Sequence, residues 1–156
     1  MRLLRLALPL LLAAAPVAPA WAQDTLERLR DLRPDPPSVG AIYAEEIAAD
    51  LALIAAQAER LFDPDRPGLG PADAPVRIAF FTGAGCTDCP RARAELAALA
   101  ARLGVRAAVF DVSDSPADAA LMDRLTLDTL PSYVMRDGLI RGAMPAMVLE
   151  RYLTSE

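Results

Sequence analysis

Ala79–Leu103 reads A-F-F-T-G-A-G-C-T-D-C-P-R-A-R-A-E-L-A-A-L-A-A-R-L and decides how the rest of the 156-residue chain is read. It predicts the end of a buried strand, a loop of small residues, and a helix whose first turn carries Cys86 and Cys89, the two cysteines of the protein. A Cys-x-x-Cys pair brings two sulfurs within bonding distance across one helical turn. At the first of them, the unpaired N–H groups and dipole of a helix start favour a thiolate. A dithiol placed this way is suited to exchange with another protein's disulfide.

Working outward, Val76–Phe81 is a short apolar run of the central-strand kind, with Arg77 as its exception. Gly83, Ala84 and Gly85 permit a tight turn into the helix, where Ala92, Leu96, Leu99 and Leu103 form one core-facing stripe before Gly104 ends it. Val105–Val112 then reads as a second strand, giving a parallel βαβ unit with right-handed crossover. Ser113 to Ser115 and Pro116 open another helix that leads to Leu125. After Leu127-Asp-Thr-Leu-Pro131, the runs Ser132–Met135 and Leu139–Ala143 flank Arg136-Asp137-Gly138, a strong hairpin signal. The last helix begins near Pro145 and is expected to bury Val148, Leu149, Tyr152 and Leu153. Leu127 and Tyr133 read as core, and Met135, Met144 and Met147 as packing.

Upstream, Asp63–Pro75 is turn chemistry throughout, too rich in Pro and Gly for an element, and the domain boundary is placed there. Before it, a helix from Ser38 to about Phe62 carries Tyr43, Ile47, Leu51, Ile54, Ala58 and Leu61 on one face. Ile42 and Leu53 fall off that face, so residues 38–62 also offer a contact for a second subunit. Asp24–Pro37 is polar and ends in the stiff break Arg33-Pro-Asp-Pro-Pro37. Arg2 and Arg5, the apolar run Leu6–Ala15 and Ala20-Trp21-Ala22 read as a secretory signal peptide with its cut expected after Ala22; a membrane anchor is the alternative, and Pro9, Pro16 and Pro19 interrupt the run it would need. Three segments result: 1–22 signal peptide, 23–66 polar segment with amphipathic helix, and 67–156 the cysteine-bearing domain.

The formal charge of −5 becomes more acidic once Arg2 and Arg5 are removed, which argues against nucleic acid or anionic membrane as partner. The chain contains no histidine. That removes Ser/His and Cys/His catalysis, and two thiols alone cannot close a four-ligand zinc site without carboxylates or a second subunit. No metal or cofactor is expected.

The order βαβ, helix, β-hairpin, helix, with Cys-x-x-Cys opening the first helix and a proline before the hairpin, resembles the thioredoxin fold over residues 70–156. The class implied is α/β, a three-layer fold with a central mixed sheet flanked by helices and preceded by an N-terminal helix. Cys86-Thr-Asp-Cys89 matches the redox motif, Leu130-Pro131 the cis-proline loop, and Arg136-Asp-Gly138 with Gly142 the hairpin and following glycine. Leu69-Gly-Pro-Ala-Asp-Ala-Pro-Val76 followed by Phe80-Phe81 is similar to the lead-in of DsbA-like secreted proteins, but the stretch from Cys89 to Pro131 is too short for their inserted helical domain. The chain departs from the family in three places. Ala79 and Phe80 stand where an acidic residue is often found, Thr87-Asp88 lacks the frequent histidine, and Gly83-Ala84-Gly85 replaces aromatic residues.

The resemblance implies a thiol-disulfide oxidoreductase of the periplasm acting on cysteine-containing exported proteins and reset by a redox partner. Cys86 is the nucleophile, Cys89 resolves the mixed disulfide, Thr87 and Asp88 tune the pair, and a cis Leu130–Pro131 peptide presents Leu130 to an extended substrate. Asp88 opposes a thiolate while Arg91 and Arg93 favour it. Without a histidine in the dipeptide, the pair is expected to be less oxidising than that of DsbA-like enzymes. Other readings stay open: a structural disulfide, a redox-silent binding module working through the Pro131 loop, and a disulfide isomerase if the protein is oligomeric.

Overall fold

A computed structural model describes residues 39–154 together with Arg28; the expected signal peptide and most of the polar segment after it lie outside the described residues. In chain order the elements are α1 (Val39–Leu61), β1 (Gly68–Leu69), β2 (Val76–Thr82), α2 (Cys89–Leu103), β3 (Arg106–Asp111), α3 (Pro116–Arg124), β4 (Ser132–Met135), β5 (Gly138–Arg141) and α4 (Ala146–Thr154). The sheet order is β1-β3-β2-β4-β5. β2 takes the centre because its run V-R-I-A-F-F-T can be buried on both faces. It pairs in parallel with β3 across α2 and antiparallel with β4, which turns back into β5. The βαβ unit and the hairpin are those the sequence predicts.

Strand alternation divides the core into two layers. Ile78 and Phe80 face Ala92, Leu96 and Leu99 of α2 and Leu149 and Leu153 of α4. Ala79 and Phe81 face the opposite layer, with Ile54 and Leu61 of α1 and Leu121 and Met122 of α3. Val76 stands two residues before Ile78 yet belongs with Ala79 and Phe81. The reason is a slip in register: Val76 pairs with Arg106 and Ile78 with Ala107, leaving one extra residue on β2. An extra residue reverses the alternation, and that residue is Arg77, the polar exception in the run.

Asp63–Pro75 is more ordered than its composition suggests. Gly68 and Leu69 form β1, antiparallel to β3. A Cβ on Gly68 would stand 2.5 Å from the Ala107 carbonyl oxygen, so the residue that reads as a strand breaker is what lets the edge close. Arg106 of β3 holds the same loop by donating to the carbonyl oxygens of Pro64, Ala72 and Arg66 at 2.8, 2.9 and 2.7 Å. Arg66 donates to the Val109 carbonyl at 2.9 Å and to Asp118, and its guanidinium lies 3.7 Å from the centre of the Phe110 ring.

Two apolar faces depart from expectation. On α1, Ile54 and Leu61 are buried, but Tyr43, Ile47 and Leu51 are 53%, 56% and 38% exposed. Ile47 and Leu51 line an open groove of about 220 Å³ with Leu139, Ile140 and Tyr152, and Asp50 between them pairs with Arg141 of β5 at 3.2 Å, so this part of α1 stands beside the hairpin without closing onto it. Leu53 is half-buried and packs against the core, and the side chain of Ile42 lies outside the described residues. On α4, Leu149 and Leu153 are buried while Val148 is half-buried and Tyr152 is 46% exposed. Met147 is 72% exposed, because a position two residues from Leu149 lies about 200° around the helix. Leu127, Tyr133 and Met135 are core, and Met144 packs partly against it.

Candidate functional site

β2 ends at Thr82, and the next residues, Gly83-Ala84-Gly85, turn the chain into the cysteine loop. Gly83 is the tightest point of that turn. A Cβ there would meet Ser113 Oγ and Val112 Cγ2 at 2.9 Å and Leu130 Cδ1 at 3.1 Å. Gly85 sits at φ +78, the left-handed region that glycine adopts without strain. The Ala84 N–H donates to Ser113 Oγ at 2.6 Å, and the Val112 N–H to the Thr82 carbonyl at 2.9 Å. The loop is thus fastened to the end of β3. Gly83→Ala is expected to destabilise the fold by about 1–3 kcal/mol through overpacking, read from the denaturation midpoint.

Cys86 and Cys89 are disulfide-bonded, with Cα atoms 5.4 Å apart. The sequence places both in the first helical turn, but α2 begins at Cys89 and Cys86 precedes it. Pro90 has no N–H to give, and the helical ladder starts with the Ala92 N–H donating to the Asp88 carbonyl at 3.0 Å. The Cys89 N–H closes a shorter turn onto the Cys86 carbonyl at 3.4 Å. That single turn sets the two sulfurs side by side. Their surroundings differ: Cys86 is half-buried and Cys89 is only 4% exposed.

Thr87 and Asp88 are exposed and do not line the cavity that holds the cysteines. Asp88 occupies the N-cap position with helical backbone angles and makes no side-chain cap bond. Its carboxylate instead accepts from Arg91 at 2.9 Å, and Arg91 also reaches Glu95 at 3.5 Å. The hydrogen bond to Asp88, with the charges of Glu95 and Asp88, raises the pKa of the Arg91 guanidinium. Arg91 and Asp88 therefore largely cancel in their effect on a thiolate. Arg93, expected beside Arg91 as a favourable charge, is different. It stands one helical turn after Cys89 and lines the cavity of about 440 Å³ with both cysteines, Pro90, Thr82 and Asp111.

The Leu130–Pro131 peptide is cis. Pro131 is buried, its carbonyl accepts from the Gly142 N–H at 2.9 Å, and Ser132 Oγ donates to the Thr129 carbonyl at 2.6 Å. Pairing of Phe81 with Ser132 brings this loop to the end of the sheet from which the cysteine loop leaves. Leu130 adjoins Gly83 there, although neither Leu130 nor Pro131 is among the residues lining the cysteine cavity. Asp111 and Ser113 are the participants that sequence reading missed. Their signal lies in the parallel register that sets Asp111 beside Thr82, which no local pattern reveals. Among the described residues, no cluster of three or more His, Cys, Asp or Glu side chains is arranged to hold a metal, and no helix is long and apolar enough to cross a membrane.

No protein-family model and no curated protein sequence matches the chain. Among solved structures, a linker-deletion mutant of Proteus mirabilis ScsC is 16% identical with a TM-score of 0.63, covering 92% of this chain and 98% of that one. Proteus mirabilis ScsC in a transitional conformation is 14% identical with a TM-score of 0.53, covering 89% of this chain and 96% of that one. With the mixed five-stranded sheet and its flanking helices, this likeness shows that the fold is thioredoxin-like α/β.

Proposed function

We propose that the protein is a thiol-disulfide oxidoreductase, with Cys86 as nucleophile and Cys89 as resolving thiol. The observation that carries this reading is the asymmetry of the pair. Both cysteines line the open cavity, but the half-buried Cys86 offers more surface to an incoming disulfide than Cys89 at 4% exposure, which suits Cys89 to attack the mixed disulfide on its neighbour. A bridge that closes a two-residue loop restricts the unfolded chain little, so stability alone is a weak reason for it. The clients are cysteine-containing exported proteins in the periplasm, as the leader at residues 1–22 and the DsbA-like lead-in at Leu69–Val76 imply. Leu130 and Pro131 present the extended client segment beside the cysteines. A separate redox partner resets the pair. The test is refolding of a reduced, unfolded disulfide protein and reduction of insulin by the chain from residue 23 onward. Catalysis of either supports the reading; client binding without turnover in both assays supports the redox-silent module instead.

One observation favours a further property of this enzyme. Tyr43, Ile47 and Leu51 form an exposed apolar stripe on α1, which supports self-association through residues 38–62 and with it the isomerase variant of the function. Sedimentation of the same protein reads this directly: an oligomer that Ile47→Glu dissociates supports it, and a strict monomer removes it.

A further inference from the structure

Resolution of a mixed disulfide requires the thiolate of Cys89, so its buried thiol must lose a proton before it can attack. The chain has no histidine to receive that proton. The cavity that holds both cysteines is lined by one carboxylate, that of Asp111 at the end of β3. Asp88, the carboxylate between the two cysteines in sequence, is already bound by Arg91 at 2.9 Å and does not line the cavity. We propose that Asp111 accepts the Cys89 proton, through water in the cavity, during resolution of the mixed disulfide. The inference rests on the pair being redox-active, as argued above.

The backbone prepares Asp111 for this task. Its Oδ1 accepts from the Ser113 N–H at 3.0 Å and, at 3.4 Å, from the Asp114 N–H, and Ser113 Oγ in turn holds the Ala84 N–H of the cysteine loop. One oxygen fixes the turn, and the other makes no hydrogen bond to the described residues. The groups around it are Arg93 of α2, which shares the cavity, and Asp114 in its own turn. Arg66 and Asp118 lie across an adjoining cavity of about 350 Å³ that Arg93 and Asp111 also line, and these two are paired with each other.

In the reducing direction, the Cys86 thiolate attacks a client disulfide, forming the mixed disulfide and releasing one client thiolate. Asp111 then takes the proton from Cys89, and the Cys89 thiolate attacks Cys86 Sγ. The Cys86–client bond breaks, the Cys86–Cys89 bond forms, and the second client thiolate recovers the proton from Asp111. The client disulfide gains two electrons and the cysteine pair loses two. Oxidation of a client runs through the same steps in reverse.

Asp111→Asn separates the two duties, because an amide oxygen still accepts from Ser113 and Asp114 but takes no proton in this range. Reduced protein from residue 23 onward, mixed with dithiobis(nitrobenzoate) in a stopped-flow instrument, releases thionitrobenzoate once as Cys86 attacks and again as Cys89 resolves. Asp111→Asn is expected to slow the second release about tenfold or more near neutral pH and to make it climb more steeply with pH, because only Cys89 already present as thiolate can then attack, with the first release within about twofold of wild type. Asp111→Glu, which keeps the carboxylate, is expected to recover part of the second rate and the shallower dependence on pH of the wild type. A second release in Asp111→Asn with wild-type rate and pH profile overturns the proposal alone. A wild type that releases nothing overturns the redox reading and this proposal with it.

Discussion

Cys86→Ser is expected to abolish insulin reduction and oxidative refolding, a loss of about a hundredfold or more, because a hydroxyl cannot replace the attacking thiolate. Cys89→Ser is expected to behave differently. It keeps the half-buried nucleophile, attacks a client disulfide once, and then accumulates the mixed disulfide that its missing partner would have resolved. Mass spectrometry after acid quenching reads both results. A covalent client adduct on Cys86 in Cys89→Ser, absent from Cys86→Ser, follows from the unequal burial of the two sulfurs. Adducts that form equally in both variants would mean that the cavity does not distinguish them.

Arg66→Ala carries the largest expected effect on stability, a loss of about 3 kcal/mol in the free energy of unfolding. Asp118 is held at 5% side-chain exposure by its pair with Arg66, and removing the guanidinium leaves that carboxylate buried without its partner. The same change exposes the Val109 carbonyl and strips a cation from the face of Phe110, which itself stacks on Phe81 at 4.8 Å. Urea denaturation checks the value. Arg91→Ala, whose pair with Asp88 is exposed on both sides, is expected to leave the midpoint unchanged.

The architecture was legible because its signals are local. The apolar run at Val76, the stripe from Ala92 to Leu103 closed by Gly104, and the Asp137-Gly138 turn each specify an element without knowledge of distant residues. The cysteine pair and the proline before the hairpin were legible for the same reason. What escaped depends on register and on packing between distant elements. β1 was hidden because Gly68 reads as a breaker until the closeness of Ala107 is known. The exposed half of α1 was hidden because periodicity reports which side chains share a face, not how much of that face has a layer beneath it. Asp111 shares a cavity with the cysteines only because β2 and β3 pair as Thr82 with Asp111, and Arg66 finds Asp118 only after the loop folds over β3. Cys86 falls outside the helix because Pro90 delays its first turn, a consequence the residue type announces but the motif conceals.

The reduction potential of the Cys86–Cys89 pair decides whether the two sulfurs cycle between thiol and disulfide. Equilibrating the protein from residue 23 onward in glutathione buffers, trapping free thiols by alkylation and counting them by mass gives that value. The redox reading predicts a two-electron titration with a midpoint more negative than about −120 mV, the potential of DsbA, since no imidazole stands beside Cys86 to stabilise the reduced pair. A midpoint at or above that value would contradict the proposed tuning. A pair that stays closed at every buffer ratio, and against dithiothreitol, would contradict the function itself.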